Sequence, residues 1–335
     1  MHAVICQEPG RIELIEREAP GAPPEGWVAV NIDNVGICGT DYHIFEGKHP
    51  FLQYPRIMGH ELAGTVAEDG AGWRKGTQVI INPYLACGTC HACRRGKPNC
   101  CYNINVLGVH RDGGLCERLN LPSGNLIAAA GLNAEQAATV EFLAIGAHAV
   151  RRSELTDADR VLVVGAGPIG LGTALFARNR GAEVHLLDAS APRLAMVAER
   201  FGFEHTHAVA EGGEPVLAAT QGDGYDVVLD ATGSLAAIEN GFQYVAHGGT
   251  FVLVSVVKGA ISFNDAEFHK REMRVVGSRN ATSEDFSTVV QALASGAIDY
   301  RKLITHRTSL AELPMRLAGW AADREHVIKA MVAIR

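Results

Sequence analysis

Four of the eight cysteines fall together: Cys87, Cys90, Cys93 and Cys101 make a C-x2-C-x2-C-x7-C cluster. Thiols at this spacing can wrap one tetrahedral Zn2+ as thiolates. Four protein ligands leave no open position, so the expected role is structural. Arg94, Arg95 and Lys97 in the same loop would offset the excess negative charge, and Cys100 competes with Cys101 for the fourth place. In a reducing compartment such spacing indicates a metal rather than disulfides. A second set is more dispersed. Cys38-Gly-Thr40-Asp41-Tyr-His43 is followed by Gly59-His60-Glu61, and much later by Glu141. Cys38 and His60 suit Zn2+. Glu61 and Glu141 are carboxylates that could complete a tetrahedron or hold a water. A zinc ion that performs chemistry keeps one exchangeable position, so three protein ligands are expected.

A third constellation is made of glycines. The apolar run 161–164 ends in Gly165-Ala-Gly167-Pro168-Ile169-Gly170, and a helical pattern begins inside it. Gly165 allows a tight turn, Gly167 lets the backbone approach a pyrophosphate, and Gly170 lets the new helix pack on the strand. The first turn of that helix offers N–H groups to phosphates. Asp188 ends the next apolar run, about twenty residues on, where a carboxylate would accept hydrogen bonds from ribose hydroxyls and repel a 2′-phosphate. The expectation is NAD. Arg193 lies just beyond, in the cofactor-binding region. Thr232, Gly233 and Ser255, at the carboxyl ends of later strands, are expected near the nicotinamide half.

These residues need elements to hold them. A chain of 335 residues, 47% hydrophobic, has length for two domains. Residues 1 to about 80 read as short strands separated by Pro and Gly turns, the pattern of a β-barrel or sandwich. Residues 86–103 form the polar cysteine lobe, and 133–152 read as one helix with Asn133 as its cap. From residue 160 strands alternate with helices, at 160–164, 183–188, 226–230, 250–256 and 273–277. That alternation argues a parallel doubly wound α/β sheet. After 278 come helices at 283–295 and from 311, strand-like 303–308, and a last strand at 329–334. The net charge of −7 argues against nucleic acid or anionic membrane as a partner. No run is apolar enough to span a bilayer, and residues 1–6 read as strand rather than leader, so the expected location is cytoplasmic.

Taken together, Cys38-Gly-Thr-Asp, Gly59-His-Glu61, the cysteine lobe and Glu141-Phe-Leu-Ala-Ile-Gly-Ala-His resemble the zinc-dependent medium-chain dehydrogenases, and within them the polyol (sorbitol-type) branch. Glu267-Phe-His-Lys270 and Gly277-Ser-Arg279-Asn280-Ala-Thr282 further resemble bacterial L-galactonate and L-gulonate 5-dehydrogenases. One departure is Phe142, where the branch usually has proline. The resemblance implies a GroES-like catalytic domain over 1–147, a Rossmann NAD-binding domain over 148–283, and a C-terminal return over 284–335. It implies one catalytic and one structural zinc per chain, and a homo-oligomer, dimer or tetramer. It implies Cys38 and His60 as zinc ligands, with Glu61 and Glu141 as ligand or water partner.

Zn2+ is not redox-active, so electrons must leave as hydride to the nicotinamide, with the metal as Lewis acid. Thr40 can accept the substrate's proton and His43 can pass it to solvent, a relay the resemblance implies. Asp41 could instead orient the loop or a ligand. A sugar acid carries a carboxylate, and Arg56, His110, Lys270, Arg279 and Asn280 are candidates to meet it. The expected reaction is oxidation of a secondary hydroxyl of a sugar acid. The alternatives are a neutral polyol, a diol or threonine, or a zinc-bound regulatory module without catalysis.

Overall fold

The computed structural model describes residues 1–49 and 52–335. The polypeptide forms two compact units, one of Met1–Phe142 with Thr282–Arg335 and one of Leu143–Ala281. The divisions fall at 142/143 and 281/282, a few residues from the positions expected above. Among the described residues no helix is long and apolar enough to cross a membrane.

The first unit is mainly β. Its largest sheet runs Leu126–Ala128, Gln78–Ile81, Glu61–Val66, Trp27–Ile37, Lys329–Ala333, Ile304–Ser309, and Arg118–Pro122 also pairs with Trp27–Ile37. Alternation along these strands turns Val30, Ile32, Val35, Leu62, Val79, Ile81 and Val332 into one core. The late strand Lys329–Ala333 lies beside an early one, with Ala330 opposite Ile37. That register brings Lys329 next to Cys38. A short helix, Gly39–Phe45, follows Cys38 directly and was not anticipated. The expected single helix over 133–152 is two, Ala134–Ala138 and Val140–Ser153. Asn133 caps the first, accepting from Gln136 N at 2.9 Å, and the break at Thr139 lets Glu141 begin a new turn.

The second unit is a six-stranded sheet, ordered His205–Ala208, Glu183–Asp188, Arg160–Val164, Tyr225–Asp230, Val245–Leu253, Arg274–Gly277, with every pairing parallel. This is the 3-2-1-4-5-6 order of a doubly wound nucleotide fold. Five strands were expected. The sixth, His205–Ala208, is the edge strand and has no apolar run to announce it. Helix Leu235–Gly241 passes through a single tight turn, Phe242–Tyr244, directly into the strand that begins at Val245. Helix Asp265–Lys270 was also unanticipated.

Candidate active site and cofactor sites

Strand Trp27–Ile37 ends at Cys38, and strand Glu61–Val66 begins at Glu61 directly opposite Gly36. Two adjacent strand ends therefore deliver Cys38, His60 and Glu61 to one spot. Their ligand atoms all lie within 4.8 Å of one another. Gly36 is required there, since a Cβ would meet Glu61 Oε2 at 2.1 Å. Asp41 is fully buried and braces both loops, accepting from Cys38 N at 2.8 Å and from Gly59 N at 3.2 Å. Glu141 is buried with the cluster, and the Tyr84 hydroxyl donates to its Oε1.

The donor set fits a divalent cation. His60 Nδ1 and Glu61 Oε2 are buried without a hydrogen-bond partner, an arrangement that costs free energy unless something else satisfies them. The pocket is also strongly electronegative. Burial opposes the charge on His60, yet Cys38 and Asp41 lift its pKa well above the ordinary imidazole value. Burial, with Glu61 adding, pushes the Glu141 carboxyl up to about 7. One side chain that the sequence did not single out is already here. Lys329, 1% exposed, donates to Glu61 Oε1 at 2.6 Å and to Ile37 O at 3.2 Å. Its ammonium also sits 4.3 Å from the centre of the Phe142 ring, the residue that departs from the usual proline. A lysine opening a terminal strand reads as a surface residue, so only the ladder pairing reveals it.

Thr40 Oγ1 lies 3.9 Å from Cys38 Sγ. His43 is one helical turn on and exposed, and partial burial of its ring with Arg324 nearby lowers its pKa. Of the substrate candidates in this unit, Arg56 pairs with Asp112 at 3.4 Å, and exposed His110 accepts from Val106 N at 3.1 Å. Lys270, Arg279 and Asn280 belong to the second unit. There Lys270 pairs with Glu267 at 3.5 Å, while Asn280 holds a left-handed backbone, φ 52°.

The cysteine lobe is organised around one short helix, His91–Arg94. Cys90 Sγ lies 3.4 Å from Cys93 Sγ, Cys101 Sγ 3.4 Å from Cys87 Sγ, and Cys90 Sγ 3.9 Å from Cys101 Sγ. Four thiolates around one zinc stand about 3.8 Å apart, given a Zn–S bond of about 2.3 Å. Backbone and hydroxyl donors from Thr89, together with Cys90 N, lower the Cys87 thiol to about 5. Cys100 is exposed and outside the set.

In the second unit the glycine turn has the expected form. Gly165 takes φ 97°, and a Cβ on Gly170 would stand 1.7 Å from Gly165 O. Gly167 caps helix Pro168–Asn179 with no side-chain bond, and space around it is open. Asp188 accepts from Ala166 N at 2.6 Å and Ser190 N at 2.8 Å, so its carboxylate is fixed against the turn. Ser190 caps the helix carrying Arg193, which is buried. Thr232, Gly233 and Ser255 share one buried acid, Asp230: Thr232 N donates to it at 3.0 Å, Ser255 Oγ at 3.2 Å, and Gly233 N donates to Ser255 Oγ at 2.8 Å. Burial raises the Asp230 carboxyl pKa, and the donors from Thr232 oppose that shift.

Residues 24–131 match the alcohol dehydrogenase GroES-like domain family, and residues 168–295 the zinc-binding dehydrogenase family. The chain is 41% identical to L-galactonate-5-dehydrogenase of Escherichia coli K12, over 99% of this chain and 98% of that one. It is 32% identical to D-altritol 5-dehydrogenase of Agrobacterium fabrum, over 93% and 94%. Among solved structures it is similar to the short chain alcohol dehydrogenase rspB of E. coli CFT073 complexed with NADH, with TM-score 0.93 and 28% identity, covering 100% of this chain and 99% of that one. With its family domains spanning more than half the sequence and its likeness extending along nearly all of it, the chain belongs to the zinc-binding alcohol dehydrogenases, oxidoreductases of CH–OH groups that work with Zn2+ and NAD.

Proposed function

We propose that the protein oxidises a secondary hydroxyl of a six-carbon sugar acid, of the L-galactonate or L-gulonate 5-dehydrogenase type, to the keto acid. The observation that carries the substrate class is the full-length likeness to L-galactonate-5-dehydrogenase. The site's chemistry supports the reaction type: a thiol, an imidazole and a carboxylate converge, and Glu61 Oε2 is buried among them without a hydrogen-bond partner. Cys38 and His60, with Glu61 or Glu141, would hold Zn2+, which would supply Lewis acidity at the substrate hydroxyl, while NAD+ would be the hydride acceptor. The balance is alcohol plus NAD+ to ketone plus NADH plus one proton. Thr40 accepts that proton, and His43, held neutral near pH 7 by its lowered pKa, passes it to solvent. Asp41 keeps Cys38 and His60 in register, and Lys329 fixes Glu61. Gly165, Gly167, Pro168, Ile169, Gly170 and Asp188 hold the pyrophosphate and ribose, with Arg193 beside them. Thr232, Gly233 and Ser255 line the nicotinamide half. Arg56, His110, Lys270, Arg279 and Asn280 are the candidates to meet the substrate carboxylate. The enzyme acts on a small molecule, in the cytoplasm, as a homo-oligomer.

A neutral polyol is the second reading, favoured by the likeness to D-altritol 5-dehydrogenase. NADH formation measured against L-galactonate, L-gulonate, D-altritol, D-sorbitol and L-threonine separates the two. The sugar acids are expected to give a kcat/KM at least about tenfold above the neutral polyols, the worth of one charge-assisted contact. Equal or better turnover of a polyol overturns the sugar-acid assignment. Thr40→Ala is expected to lower kcat about a hundredfold with KM little changed.

A further inference from the structure

The edge of the nucleotide-binding sheet carries a cluster that neither the zinc sites nor the dinucleotide turn uses. Glu183 and His185 stand on strand Glu183–Asp188, and His205 and His207 on the edge strand beside it. The parallel register sets His185 against His205 and Leu187 against His207. Side chains alternate along a strand, so all four project from one face. The His185 and His205 rings stack with centroids 4.3 Å apart, and His185 and His207 lie 5.3 Å apart. His185 Nε2 is 2.9 Å from Glu183 Oε1, and His185 Nδ1 is 3.0 Å from His207 Nε2. The Tyr225 hydroxyl donates to Val216 O and lies 3.1 Å from the same Nδ1. Ligand atoms of Glu183, His185 and His205 all fall within 4.8 Å of one another.

We propose that Glu183, His185 and His205 form a further metal site, distinct from the catalytic and cysteine sites, that takes a divalent transition-metal ion of the zinc, nickel or copper class. Two imidazoles and one carboxylate are the donor set such borderline ions favour, with water in the remaining positions. His185 is buried and fixes the site, while Glu183 and His205 are exposed, so an ion reaches it from solvent. The exposed His205 ring turns about its side-chain bonds to aim a nitrogen at the ion. At His185 the ion replaces the Nε2 proton, which moves to Nδ1 and is then accepted by His207 in its other tautomer. His207 thus supplies the outer hydrogen bond that orients a metal-bound histidine. The other charged groups facing the cluster are Arg160, whose guanidinium pairs with Asp223 at 3.7 Å, and Glu211 beside His207.

The test uses the zinc-loaded enzyme with two variants, His205→Ala and Glu183→Gln, both at exposed positions. After equilibrium dialysis against micromolar ZnCl2, metal content is counted by mass spectrometry, and NiCl2 is titrated by calorimetry. The wild type is expected to hold one more ion per chain than either variant, and to bind Ni2+ about tenfold or more tightly. NAD-linked turnover is expected to be equal in all three. If one variant loses turnover through misfolding, the other decides by the same count. Equal metal content and equal Ni2+ affinity in wild type and variants overturn the proposal, and so does an extra ion that persists in both. The count is independent of which alcohol the enzyme oxidises.

Discussion

Asp188 stands at the C-terminal end of its strand with both carboxylate oxygens pinned by backbone N–H groups. Its place at the strand's end, beside the glycine turn, was legible from spacing alone, because the apolar run that forms the strand stops there. Asp188→Ser is expected to raise the KM for NAD+ at least about tenfold, since a charged acceptor for ribose hydroxyls is lost, and to narrow the preference over NADP+. Steady-state kinetics with both cofactors check this. Lys329 was not legible. Its environment depends on Glu61, more than two hundred residues away, and no local pattern encodes that pairing. Lys329 and Glu61 are 1% and 0% exposed, so removing one partner strands a buried charge. Lys329→Met is expected to cost about 3–5 kcal/mol in urea unfolding. Lys329→Arg, which keeps the charge, is expected to cost less.

The cysteine lobe is an element defined by its ligands more than by its backbone. Its helix spans only His91–Arg94, and its paired strands Tyr84–Leu85 and Asn105–Val106 are two residues each. With so little apolar packing, the ion is the main source of its order. Cys90→Ser is expected to remove one zinc per chain. It should also open 86–103 to limited proteolysis, read by metal analysis and peptide mapping. Such an element can be found in sequence because its chemistry is contiguous. The catalytic set was assembled from the sequence only as separate pieces, since Cys38 and His60 meet through strand pairing. The edge strand His205–Ala208 escaped notice for another reason. His-Thr-His-Ala alternates in size and polarity without an apolar face. Strand reading depends on hydrophobic alternation, so a strand faced with imidazoles leaves no such signal.

Across the chain, the two chemistries sit on separately built cores. The proposed zinc ligands belong to Met1–Phe142 with Thr282–Arg335, and the glycine turn to Leu143–Ala281, which has its own core around Leu162, Val228, Tyr225 and Phe251. Chelation that strips both zinc ions is expected to abolish alcohol oxidation. NADH binding, followed by the fluorescence of the dihydronicotinamide, should weaken by no more than a few-fold. The doubly wound half was readable because its strand-helix period is regular. The β half was readable in its strands but not in their order, because a strand from residues 329–333 is laid between Ile304–Ser309 and Trp27–Ile37, a strand from the opposite end of the sequence. That strand bears on how the enzyme is made. On the ribosome the nucleotide-binding core is complete in one uninterrupted stretch and can fold while synthesis continues. The β half has a gap in its main sheet until Lys329–Ala333 emerges to fill it. Nascent chains therefore acquire the capacity to hold NAD well before they can acquire the capacity to oxidise an alcohol.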